Sequence, residues 1–349
     1  MNPEPAAWGR LEDPSYGEAF SAAPGAVSYR LLGPLEIRKD GKEYTPTAPK
    51  ILQLLAMLLL QAGKVVHIDS IIQELWPDGP PRSVRTTMQT YVYQLRKSIE
   101  WNQLASHSDE LLVTRSPGYM FMVPPSRVDV FSFQQLCHQG RELLERREFQ
   151  QAARHLRVAL SLWSGPALAN VQCGPVLSAY AVDLEEQRRN ALHLCIEAEL
   201  ERGLHRDLIG ELRSLVTANP LDEGLHGLLM RALSASGRRS DALAAYRELR
   251  GVLNEELGVE PCDELQQLHR ELLSLGEPPA FHGKPAAASG RPAGANGAPT
   301  APHRNPSESD GTPDKGRDGL VRVNGRLTSP PDRQEQAPDG TPLARRQRR

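Results

Sequence analysis

Thr86, Thr90, Tyr93 and Lys97 recur at helical spacing, with Gln89 and Gln94 on their flanks, inside a segment running from Ser83 to Ile99. On a wheel of about 100° per residue they share one face, while Val84, Met88, Tyr91, Val92, Leu95 and Ile99 form an apolar stripe on the other. Periodicity of this kind describes any amphipathic surface helix, but two details separate this one from the ordinary case. A solvated face usually mixes charges of both signs, yet no Asp or Glu occurs from Pro80 to Ile99. The face carries hydroxyls, amides and an aromatic ring instead, groups that can meet base edges and thymine methyls in a DNA major groove. Arg82, Arg85, Arg96 and Lys97 stand at its ends and sides, where phosphates would run. Arg115, one residue before the turn Ser116-Pro117-Gly118, projects from a hairpin towards the neighbouring groove or backbone. A lone hairpin arginine is ordinarily just solvated; this one gains weight from the set it belongs to.

The elements needed to present such a helix lie around it, in residues 27–124. SYRLLG and LEIRK read as strands about a Gly-Pro turn, and Asp40-Gly41 turns the chain into KEY. A helix is expected from Ala48 to Ala62, with Thr47 placed to cap it, Pro49 in its first turn and Gly63 ending it. Its apolar residues Ile51, Leu54, Leu55, Leu58 and Leu59 form one buried face. VVHI is a short strand, and Asp69 caps a second helix ending at Trp76-Pro77. After the loop PDGPPR (77–82) comes the Ser83 helix, then a hairpin of LLVT and YMFMV. Strands, three helices and a closing hairpin follow the order of a winged helix-turn-helix DNA-binding domain.

Residues 125–275 are helical by periodicity and contain a repeat: Gly203, Asp207, Arg213 and Leu215 recur 34 positions on as Gly237, Asp241, Arg247 and Leu249. Thirty-four is the tetratricopeptide period, in which stacked helix pairs bury each other's apolar faces. REFQQAARHLRVALSLW (147–163) reads as a looser copy. The expected fold is therefore mainly α with a small β component. An N-terminal winged helix-turn-helix is followed by an all-α tetratricopeptide-like domain. Residues 1–26, rich in Pro, Ala, Gly and acid with no periodicity, are expected to be a disordered leader, and residues 276–349, rich in Pro, Gly, Ala and Arg and nearly free of aromatics, a disordered tail.

Composition narrows the function. Cys137, Cys173, Cys195 and Cys262 lie far apart, with no C-x-x-C pair, which fits reduced thiols in a cytoplasmic protein. The amino terminus has acids and prolines where a signal peptide needs basic and then apolar residues. The longest apolar run, Leu54–Leu60, is far short of the roughly 20 residues of a membrane span. No phosphate-binding, dinucleotide-binding, zinc-protease or nucleophile-elbow motif occurs, so no catalytic residues, cofactor or metal are expected. His193 and Cys195 fall on different sides of a helix and read as packing residues. Residues 27–124 hold 11 Lys/Arg against 9 Asp/Glu, a net of +2, and residues 125–275 hold 17 against 22, a net of −5. So weak a positive charge implies modest counterion-release affinity, and hence a second copy or a partner on the DNA.

RLLGPLEI, KILQLLAMLLLQAGKVV, SVRTTMQTYVYQLRKSI and LLVTRSPGYMF together resemble the Streptomyces antibiotic regulatory protein family, which joins an OmpR-like winged helix to a bacterial transcriptional activator domain. VDVFSFQQLCHQGRELLERREFQQAARHLRVALSLWSGPALA and SGRRSDALAAYRELRGVLNEELGVEPCDELQQLHREL extend the resemblance, which covers about 27–275. It implies a pathway-level activator binding direct repeats in promoters, usually of an antibiotic-type secondary-metabolite cluster. It also implies DNA contacts at Thr86, Thr87, Gln89, Thr90, Tyr93, Gln94, Arg96 and Arg115. The loop Pro77, Asp78, Gly79, Pro80, Pro81 and Arg82 is implied to touch RNA polymerase holoenzyme. Gln94 and Met122 stand where many relatives have arginine, which bears on the base preference, and the long tail is not a family feature. Direct repeats place two winged helices on one face of DNA about 10–11 bp apart, an arrangement for two side-by-side protomers bridged by their helical domains.

Three rivals share some of these features. A response regulator has the same output domain, but only 26 residues precede it here, fewer than a phospho-acceptor domain needs. A helical-repeat scaffold would bind protein and not depend on DNA. A repressor would use the same DNA-binding residues, and only the family resemblance favours an activator.

Overall fold

A computed structural model describes residues 26–274. The expected leader up to residue 25 and the expected tail lie outside them. The chain opens with a three-stranded antiparallel meander, β1 (Val27–Arg30), β2 (Glu36–Lys39) and β3 (Lys42–Glu43). Tyr29 pairs with Ile37 in its register, and both are buried. Then come α1 (Pro49–Leu60), β4 (Val65–His67), α2 (Ile68–Leu75), α3 (Val84–Trp101), the one-turn α4 (Ser108–Leu111), β5 (Leu112–Arg115) and β6 (Gly118–Phe121). The second sheet has the order β4-β6-β5 and is antiparallel throughout. This is the winged helix-turn-helix arrangement, with β5 and β6 as the wing.

Two expected helix caps are not made. Ala48, not Thr47, is the N-cap of α1, and no side chain caps it. Proline forces the residue before it into extended geometry, and Ala48 (φ −73°, ψ 121°) obeys, so the helix can begin only at Pro49. Asp69 lies inside the first turn of α2, whose N-cap is His67, because the helix starts directly off β4. There its carboxylate sits near the positive end of the helix dipole without capping it. At the far end of α1, Gly63 takes the left-handed turn (φ +76°) and donates its N–H to the Phe121 carbonyl at 2.9 Å, tying the helix exit to β6. Helix α1 is buried at every position from Ile51 to Leu60, not on one face only.

The second segment is all helical: α5 (Asp129–Glu145), α6 (Phe149–Ser161), α7 (Pro175–Glu201), α8 (His205–Ala218), α9 (Glu223–Ala235), α10 (Arg239–Leu257) and α11 (Asp263–Ser274). The 34-residue repeat has a structural meaning. Gly203 (φ +85°) and Gly237 (φ +79°) make the same left-handed turn after α7 and α9, and the next residue donates back to Glu199 and Leu233. The turn after α5 follows the same pattern, with Glu148 N–H on the Leu143 carbonyl, but Arg147 takes the left-handed position (φ +60°). The third copy is loose in sequence because the glycine that marks the other two is replaced there. Arg157 on α6 joins this stack, donating two bonds to Glu199 of α7 (2.9 and 2.6 Å) and two to Glu211 of α8 (2.6 and 2.8 Å). Burial works against the Arg157 charge, but the hydrogen bonds to Glu199 and Glu211 outweigh it and hold the guanidinium above its ordinary pKa. Burial pushes the thiols of Cys137 and Cys195 up to about 12, so both stay neutral packing groups.

The two segments are not separate cores. One apolar cluster runs from Tyr29 through α1, α3 and β6 to Phe133, Leu156, Leu177 and Cys195, and a second fills the stack from Leu192 to Leu272. Three polar seams reinforce the junction. The Asp129 carboxylate accepts the N–H groups of Leu31 (2.9 and 2.8 Å) and Leu32 (3.0 Å) at the end of β1. Burial pushes that carboxyl up to about 6 against the pull of these backbone donors. The strap after α6 pairs back, with Ser164 N–H on the Leu32 carbonyl, Ala169 N–H on that of Gly33, and the Asn170 amide bonded to both backbone groups of Leu35. Glu74 of α2, fully buried, takes the N–H groups of Gly174, Val176 and Leu177 at the start of α7.

Candidate nucleic-acid interface

Helix α3 is amphipathic in the way its spacing predicts. Met88, Val92, Leu95 and Ile99 are buried, and Val84 and Tyr91 are half-buried beside them. Tyr91 stacks on Trp76 with ring centroids 6.0 Å apart and planes 18° from parallel, which fixes the end of α2 against α3. The Lys50 ammonium holds the same corner by donating to the Leu75 carbonyl. Between the helices, Pro77 to Arg82 form an exposed loop, with Gly79 in a left-handed conformation (φ +119°).

On the outer face, Thr86, Gln89, Thr90, Tyr93, Gln94 and Lys97 are all exposed, and Tyr93 keeps 63% of its surface. The threonine hydroxyls are already anchored. Thr90 Oγ1 donates to the Thr86 carbonyl at 3.0 Å, and Thr87 Oγ1 to that of Ser83 at 3.2 Å. With the hydroxyl proton used inside the helix, each offers a fixed acceptor oxygen and a methyl group outward. Thr87 is half-buried, at the edge of this face.

The basic residues divide into two groups. Arg82, Arg85, Lys97 and Arg115 are exposed, and among the described residues none of them is in an ion pair. Arg96 turns towards the wing. Its Nη2 donates to the Leu112 carbonyl (2.9 Å) and to Thr114 Oγ1 (3.0 Å), and lies 3.2 Å from Asp109. It therefore fastens β5 to α3, a role that helical spacing could not distinguish from a phosphate contact.

The wing depends on one close approach. A Cβ on Gly118 would lie 1.8 Å from the Val66 carbonyl oxygen, so β4 and β6 can pair at this point only because the residue is glycine. Register sets His67, Gly118 and Arg115 in one cross-strand row, and Val66, Tyr119 and Thr114 in the next. Thr114 is thus turned to α3 and Arg115 to the other face at the wing tip. Phe121, edge-on to Tyr29 at 5.8 Å, binds the wing to the first sheet.

Sequence reasoning missed Glu74. The available signal was a helix start without its own cap: α7 begins at Gly174-Pro175, and Gly174 supplies no side chain for the exposed amides. Among the described residues no group of three or more His, Cys, Asp and Glu is placed to hold a metal, and no helix is long and apolar enough to cross a membrane.

Comparison with known proteins agrees with this architecture. Residues 41–121 match the family "Transcriptional regulatory protein, C terminal", and residues 128–273 match "Bacterial transcriptional activator domain". The chain is 39% identical over 250 residues to the regulatory protein DnrI of Streptomyces peucetius, covering 71% of this chain and 92% of that one. It is 34% identical over 267 residues to the transcriptional regulator RedD of Streptomyces coelicolor, covering 76% of each. Among solved structures, Mycobacterium tuberculosis EmbR in complex with a low affinity phosphopeptide superposes with a TM-score of 0.67 at 32% identity, covering 71% of this chain and 65% of that one.

Proposed function

This chain belongs to the Streptomyces antibiotic regulatory protein family of transcriptional activators, and on that premise we propose that two side-by-side protomers bind direct repeats in promoter DNA and recruit RNA polymerase holoenzyme. The genes we assign to it are those of an antibiotic-type secondary-metabolite cluster. The observation that carries the reading is the outer face of α3 from Val84 to Ile99, exposed, free of acid and fastened to a wing whose exposed Arg115 is in no ion pair among the described residues. In this reading α3 enters the major groove, with Thr86, Thr87, Gln89, Thr90, Tyr93 and Gln94 against base edges. Arg82, Arg85, Lys97 and Arg115 meet phosphates or the adjacent minor groove, while Arg96 holds the wing at its angle. The exposed loop Pro77, Asp78, Gly79, Pro80 and Pro81 faces away from the apolar core and serves as the polymerase contact.

Charge supports pairing. A net of +2 on residues 27–124 gives one protomer few phosphate contacts, and each contact contributes roughly one unit of log–log salt slope. Two protomers on adjacent sites double that contribution without a new surface.

Selection of bound duplexes from a random pool, with the full chain, tests the reading. The expected outcome is two copies of one half-site in the same orientation, about 10–11 bp centre to centre. Thr90→Ala should change the base selected at one position of each half-site and leave the spacing alone. Recovery of inverted half-sites, or of no motif, would overturn it.

A further inference from the structure

We propose that Glu74 is the residue that makes repeat spacing part of recognition, by locking the DNA-reading helices to the helical domain. The inference rests on the reading above, that two protomers occupy direct repeats.

The lock is specific in its chemistry. Helix α7 begins at Gly174 with no side-chain cap of its own, so its first amides need an external acceptor. Glu74 supplies one from α2: Oε1 accepts Gly174 N–H at 2.5 Å, and Oε2 accepts those of Val176 and Leu177 at 2.8 and 3.0 Å. Its charge lies at the positive end of a 27-residue helix, the favourable position for a carboxylate. Oε1 also accepts from the buried Gln53 amide of α1, so the carboxylate joins α1, α2 and α7 at once. The backbones are correspondingly close, since a Cβ on Gly174 would lie 2.4 Å from the Glu74 carbonyl oxygen.

The geometric consequence follows from lengths. Helix α7 extends for about 40 Å at 1.5 Å per residue, from the base of the helix-turn-helix into the repeat stack. A small change of angle at Glu74 is therefore magnified at its far end. Adding one base pair between half-sites moves the second about 3.4 Å along the duplex and turns it by about 34°. A protomer hinged between reading head and helical domain could follow that rotation. One whose α7 is capped by α2, with the strap from Ser164 to Asn170 bonded to the residues after β1, cannot.

The test measures binding of the full-length chain to a duplex with one half-site, and to tandem duplexes whose spacing varies one base pair at a time. Wild-type protein should prefer one spacing over its neighbours by at least about tenfold, because avidity is lost where geometry forbids simultaneous engagement. Glu74→Gln keeps the shape but removes the charge and one acceptor. It should bind the single half-site within about twofold of wild type while its preference among spacings falls to about threefold or less. Asn170→Ala loosens the same junction from an exposed position and should flatten the profile in the same way, which keeps the test intact if Glu74→Gln does not fold. A residue that only stabilised the fold would lower the melting temperature and single-site affinity together and leave the spacing preference unchanged. An unaltered profile in both variants overturns the proposal. Wild-type protein that binds tandem and single sites alike at every spacing overturns the paired reading itself.

Discussion

At a surface proposed to read DNA, arginines can act in two ways, and Arg115 and Arg96 divide them. Arg115 is exposed at the wing tip and is in no ion pair among the described residues, whereas the Arg96 guanidinium is committed to Leu112, Thr114 and Asp109. Losing a phosphate contact removes a released counterion; losing an internal fastener does not. Binding titrations over a series of salt concentrations should therefore separate them. Arg115→Ala should weaken binding and lower the log–log salt slope by about one unit. Arg96→Ala should weaken binding through a displaced wing, with the slope unchanged. If Arg96→Ala also lowered the slope, its side chain would have to leave the hairpin for a phosphate.

Among the elements, the stack of α6, α7 and α8 depends on a charge cluster as well as on apolar packing. Arg157 satisfies Glu199 and Glu211 together, and the Glu199 side chain retains only 9% of its exposure. Removing one partner of a buried pair leaves the other charge uncompensated, at a cost of about 3–5 kcal/mol. Arg157→Ala should lose about that much in a urea titration of the full chain, while Arg189→Ala, whose pairing with Glu186 is exposed, should change stability by under about 1 kcal/mol. Equal effects from the two substitutions would remove the special status of the cluster. The periodicity that revealed α8 and α10 as repeats carried no sign of Arg157, because its partners lie 42 and 54 residues away.

For the whole molecule, the continuous core changes what counts as a working unit. Tyr29, Leu31, Leu32 and the buried helix α1 belong to the same cluster as Phe133, Leu156 and Leu177. A fragment of residues 27–124 would expose that face and leave Glu74 without the α7 amides. Such a fragment should lose its cooperative thermal transition and bind a hydrophobic dye, whereas residues 26–274 should unfold in a cooperative step. A fragment with a sharp transition of its own would show that the junction is an accessory contact. The same reasoning makes full-length protein the right material for every DNA-binding measurement proposed above.

By itself the sequence determined the order of elements, the amphipathic reading helix, the wing, the 34-residue helix pairs and the family resemblance. Each of these is local, or a sum of local patterns: apolar spacing, turn residues and an absence of acid can be read without knowing what lies opposite. Only the tertiary structure decided which of the candidate side chains stay exposed on the outer face and the wing tip, and which are committed to holding the wing on α3. Arg96 and Arg115 have the same side chain, and their difference lies in whether Leu112 and Thr114 come within reach. Glu74 stands 100 residues from Gly174, and Asp129 stands 98 from Leu31. A buried carboxylate and the amides that satisfy it carry no shared period, so their pairing exists only once the chain has folded around them.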